Sequence, residues 1–73
     1  MSRPIEVPIT TEFITLGQLL KLAGMLNSGS EAKAFLAAGG ITVNGEEDNR
    51  RGRKLRPDDV ITLADGTVIR VTG

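Results

Sequence analysis

The stretch LGQLLKLAGMLNSGSEAKAFLAAGGITVNG, residues 16 to 45, changes its hydrophobic period once. Leu16, Leu19, Leu20 and Ala23 recur at i, i+3, i+4 and i+7, the spacing of one helix face. Ile41 and Val43 alternate instead, the spacing of a strand. Thr15 and Gln18 have capping-box spacing, so a helix is predicted over 15–26, weakening near Gly24. "NSGS" interrupts it. Ser28 and Glu31 repeat the capping spacing and open a second helix through "SEAKAFLAA". Ala32, Phe35 and Leu36 form its inner face, and Gly39 is placed to close it. So few residues separate the helices that they must be spatial neighbours. Asn44-Gly45 is a turn signal after the short strand.

Working outward, "PIEVPIT" (4 to 10) alternates Ile5, Val7 and Ile9, and Pro4 and Pro8 confine that strand to a sheet edge. On the other side, "DDVITL" and "TVIRVT" read as strands joined by a tight "ADG" turn at 64 to 66. The predicted order is β-α-α-β-loop-β-β. The fold class is α+β: two short helices packed on a small, mainly antiparallel sheet, with the first strand able to pair with the last. One domain over 1–73 is expected. A chain this short buries little more than half of its unfolded surface, so modest stability is expected.

Composition narrows the function. There is no Cys and no His. The first absence removes disulfides and thiolate metal sites, and the second the commonest general base and metal ligand. Neither GxGxxG nor GxxxxGK[ST] occurs. No catalysis and no cofactor are expected. Aromatics are two Phe, with no Trp or Tyr, which argues against a stacking platform on a sheet. No signal peptide or membrane-spanning run is legible, so a cytoplasmic setting is expected.

Charge is where the chain departs from the ordinary. Nine Lys and Arg balance nine Asp and Glu, yet five of those cations stand in seven residues. The loop 46–57, EEDNRRGRKLRP, opens with Glu46, Glu47 and Asp48 and continues with Arg50, Arg51, Arg53, Lys54 and Arg56. The acids read as a solvated turn that helps pair the arginines. The cations read either as a solvated charged loop or as a phosphate-binding one, since an arginine fork matches phosphate oxygens. Lys21 and Lys33 fall beside the apolar helix faces and should be exposed. Ser28, Gly29 and Ser30 open the second helix, where free amides favour an anion. Asn44 either holds its turn or touches a sugar, and the turn is favoured.

These residues in this order resemble the RNA-binding S-four domain, with its alpha-L motif, over about residues 13–63. The resemblance rests on Ser28, on Glu31-Ala32-Lys33, on Gly40 through Gly45 and on Leu55 through Ile61. It is closest to the small stand-alone bacterial members of the YaaA/YbcJ type, at Leu16 to Lys21, Ser28 to Lys33 and Val43 to Leu55. It implies binding of structured RNA, ribosomal or transfer RNA, with the helix pair and the following loop as the RNA face. Many members start the first helix with Arg-Leu-Asp, where this chain has Thr15-Leu16-Gly17. Many carry Arg after the Ser of the second helix, where Gly29 stands. The arginines of 50 to 56 are expected to replace those charges.

The expected function is binding of structured RNA, ribosomal RNA first, in ribosome assembly or maintenance, by a monomer with no membrane partner. The expected RNA-binding residues are Lys21, Ser28, Gly29, Lys33, Asn44, Arg50, Arg51, Arg53 and Lys54. The alternative is a protein-interaction module that offers the basic loop or the edge strand to an acidic partner.

Overall fold

A computed structural model describes residues 3 to 26 and 31 to 73, and the backbone of 29 and 30. The elements are β1 (Ile5–Pro8), β2 (Ile14–Thr15), α1 (Leu16–Leu22), α2 (Gly29–Ala37), β3 (Thr42–Val43), β4 (Glu46–Glu47), β5 (Lys54–Leu55), β6 (Val60–Thr62) and β7 (Val68–Thr72). The α+β class holds. The larger sheet runs β1-β7-β6-β3-β4, and β2 and β5 form a separate two-stranded ribbon.

Strand β1 is an edge strand, as its prolines require, and it pairs with β7. That pairing is parallel, with Val7 opposite Val71. The other pairings of the sheet are antiparallel. Asn44 and Gly45 both take positive φ, 52° and 87°, and Val43 faces Glu46 across them. This is the geometry of a two-residue type I′ hairpin, whose twist matches that of the strands. The strand Glu46–Glu47 was not predicted, nor was the β2–β5 ribbon.

Helix α1 is shorter than the predicted 15–26. It ends at Leu22 because Gly24 turns to φ +81°. There the Gly24 amide donates to the Lys21 carbonyl at 3.1 Å and the Met25 amide to the Leu20 carbonyl at 3.0 Å. This is a Schellman closure, which needs the left-handed conformation that glycine adopts without a Cβ clash. Gly39, also at positive φ, follows the end of α2 as expected.

Leu16, Leu19 and Leu20 of α1 meet Ala32 and Leu36 of α2 and the inner sheet residues Val43, Ile61, Ile69 and Val71 in one buried cluster. Phe35 packs against that cluster partly buried. Truncating one of the buried leucines to Ala costs about 2–5 kcal/mol in cores of this kind. Among the described residues, no helix is long and apolar enough to cross a membrane.

Candidate nucleic-acid interface

The basic loop is ordered from inside by one of its own acids. Asp48 is anchored to the sheet side by its amide, which donates to the Ile41 carbonyl at 3.0 Å. Its Oδ1 accepts the Arg50 amide at 2.9 Å and Arg50 Nε at 3.2 Å. Its Oδ2 accepts Arg50 Nη2 and Arg53 Nη1, each at 2.9 Å. The Asp48 side chain is only 9% exposed. Hydrogen bonds from the Arg50 guanidinium and amide, and then from Arg53, hold its carboxyl well below the usual carboxylate range. The expectation that the acids help pair the arginines therefore holds for Asp48, while Glu46 and Glu47 lie exposed in β4.

The same loop caps α1. The Leu16 amide donates to the Arg53 carbonyl at 2.9 Å and the Gly17 amide to the Arg51 carbonyl at 3.0 Å. The Gln18 amide donates to Thr15 Oγ1 at 3.4 Å, and Gln18 Oε1 accepts the Thr15 amide at 3.2 Å. The predicted capping box is present, and the donors that a helix start leaves orphaned are satisfied by the protein itself. The ribbon beside it, with Thr15 opposite Lys54, holds loop and helix in register. Gly17 makes the approach possible: a Cβ there would lie 2.6 Å from Arg51 Cγ.

Arg51 emerges from this arrangement between the two helices. It borders one depression of about 440 Å³ together with Gly17, Gln18, Lys21 and Ala32. It borders a second of about 400 Å³ with Lys33, Leu36, Ala37 and Asn49. Lys21 and Lys33 are exposed, as predicted. Among the described residues, no ion pair engages Lys21, Lys33 or Arg51. Arg50, Arg53 and Lys54 border a third depression with Gly52. So Lys21, Lys33 and Arg51 are brought together, and Arg50 and Arg53 stand beside them tied to Asp48.

Asn44 is committed to the turn. Its Nδ2 donates to Asp59 Oδ1 at 3.0 Å, and its Oδ1 accepts the Val60 amide at 3.0 Å. Arg56 is exposed, and its amide donates to Asp59 Oδ2 at 2.8 Å. Ser28, expected to cap α2, lies outside the described residues, and Gly29 is the first residue of that helix. Sequence reasoning missed Phe13, whose ring centroid lies 5.0 Å from Lys54 Nζ. The contact follows from the β2–β5 ribbon, for which two-residue strands leave no periodic signal. Among the described residues, no group of three or more carboxylates could hold a metal ion.

A family model, that of the S4 domain, matches residues 7–72. That is wider than the 13–63 core read from the sequence, because it takes in the end of β1 and all of β7. The probable ribosome maturation protein RlbA of Bacillus subtilis (strain 168) is 54% identical over 63 residues, spanning 86% of this chain and 86% of that protein. With two helices, a mixed sheet and a loop docked on the first helix, the chain belongs to the S4 domain family, the S-four family its motifs resemble.

Proposed function

We propose that this protein binds structured RNA, ribosomal RNA first, through the face made by α1, α2 and the loop 46–57, and that it acts in ribosome assembly or maintenance. The observation that carries the reading is the convergence of Lys21, Lys33 and Arg51 on two depressions that share Arg51, with no ion pair to any of the three among the described residues. Three cations from three elements, far apart in sequence, border adjoining depressions, which a solvated charge run would not require. Phosphates on adjacent turns of A-form RNA suit such an arrangement, because that RNA is read by shape and backbone. The name of the Bacillus relative, a probable ribosome maturation protein, supports the ribosomal assignment.

The roles divide within the loop. Arg51, Lys21 and Lys33 meet phosphate directly. Lys54 adds cationic reach at the outer rim, and Arg50, 68% exposed although tied to Asp48, stands beside it. Arg53 and Asn44 act as positioning residues, since their side chains are engaged by Asp48 and Asp59. The amides at the start of α1 are capped by the loop, so that helix start is closed to phosphate. The domain works as a monomer in the cytoplasm, and it binds without catalysing.

The test is a salt titration with a structured ribosomal RNA fragment. Three phosphate contacts give a slope of log affinity against log salt of roughly −2 to −3. Arg51→Ala should flatten it by about one unit. A slope near zero, or equal affinities of both proteins, would remove this face from RNA binding.

A further inference from the structure

Among the described residues, the large hydrophobic side chains left exposed are Phe13 at 37% and Leu22 at 64%, and both line one groove. The groove has a volume of about 740 Å³, and Ile9 and Ile14 add to its apolar surface. Single exposed apolar side chains need no explanation, but these two share one concave surface, the shape that ligand sites take. No acidic residue lines it. Gln18 and Lys21 line both this groove and the depression beside Arg51, so the groove continues the cationic face. Lys54 Nζ lies 5.0 Å from the Phe13 ring centroid, yet Lys54 does not line the groove. The ring thus meets a cation on one side and the groove on another.

We propose that this groove takes an unpaired nucleobase of the bound RNA, one extruded from a helix at a bulge or loop. The proposal rests on the RNA-binding reading above and names the RNA feature that the same face selects. A base has two flat apolar faces and a polar edge. Phe13 supplies an aromatic surface for stacking, a contact that single-stranded bases make and paired bases cannot. Ile9 and Leu22 cover apolar area that would otherwise face water. The Gln18 side-chain oxygen is taken by the Thr15 amide, which leaves its amino group as the donor toward a base edge. Lys21, at the junction of groove and depression, suits the phosphate of the extruded nucleotide. Continuity with the phosphate face and a lining that holds Lys21 and no acidic residue favour a nucleotide over a basic or neutral peptide.

The experiment compares a fully paired RNA hairpin with the same hairpin carrying one bulged fluorescent purine analogue. The wild-type protein should bind the bulged RNA about ten-fold more tightly, with a change in the analogue's fluorescence. Phe13→Ala should bring the two affinities together. Leu22→Gln should do the same, and Leu22 is exposed enough that folding is not at stake. Equal wild-type affinity for the two hairpins would overturn the base groove and leave the phosphate reading standing. A preference that survives both substitutions would also overturn it, because the base would then sit elsewhere. Failure to bind either hairpin at low salt would overturn the RNA-binding reading itself.

Discussion

Asp58 and Asp48 each pair with arginine, and they belong to different kinds of surface. Asp58 meets Arg70 of β7 at 3.0 Å with its side chain 83% exposed. Asp48 takes Arg50 and Arg53 at 2.9 Å with its side chain 9% exposed, and it accepts a backbone amide as well. The first pair sits in water, where screening and side-chain entropy leave little net gain. The second holds a turn whose carbonyls cap α1 and whose Arg51 faces the two helices. The contrast teaches that the crowding of charge in the loop is not one feature. Part of it builds the loop, and part, Arg51, stands without an ion pair among the described residues.

The sharpest way to break this contrast is Asp48→Ala. It removes several charge-assisted bonds from a nearly buried site, so we expect a loss of about 2 kcal/mol in urea unfolding. RNA affinity should fall too, although the substitution removes a negative charge. A rise in affinity would show that the loop acts as bulk charge and that its geometry is irrelevant. The same variant has a pH signature. The Asp48 carboxyl is held below its unfolded value, so its contribution is fully present above about pH 4 and is lost as pH falls through the folded value. The stability gap between wild type and Asp48→Ala should therefore shrink in acid.

Arg51→Ala should have the next largest effect, on binding rather than folding. We expect RNA affinity to drop several-fold while unfolding stability stays within about 0.5 kcal/mol. Gly17→Ala sharpens the same point from the other side. The new Cβ must displace the Arg51 side chain, while the helix gains propensity. Stability should change by less than about 1 kcal/mol, and RNA affinity should fall by less than in Arg51→Ala. Arg70→Ala should do least, within about 0.5 kcal/mol and with no change in RNA binding. A stability loss in Arg70→Ala equal to that of Asp48→Ala would erase the distinction between the two pairs.

Much of this molecule was legible in its sequence because the signals are local. The capping box of Thr15 and Gln18, the Asn44-Gly45 turn and the edge position of β1 each follow from residues within a few positions of one another. The helix faces were legible too, although Gly24 shortened the first helix. The β2–β5 ribbon was not, since Ile14-Thr15 and Lys54-Leu55 are too short to show a period. The division of the arginines was equally hidden. Spacing cannot tell that Asp48 captures Arg50 and Arg53 and passes over Arg51, because that choice depends on how the turn docks on α1. Phe13 escaped notice because its partner Lys54 is distant in sequence and near only through the ribbon.

The most direct test of the central claim is crosslinking in the native cell, with sequencing of the attached RNA and the Arg51→Ala protein alongside. We expect enrichment of one ribosomal RNA region by the wild-type protein and its loss in the variant. Equal recovery of RNA by the two proteins, or none by either, would contradict the account.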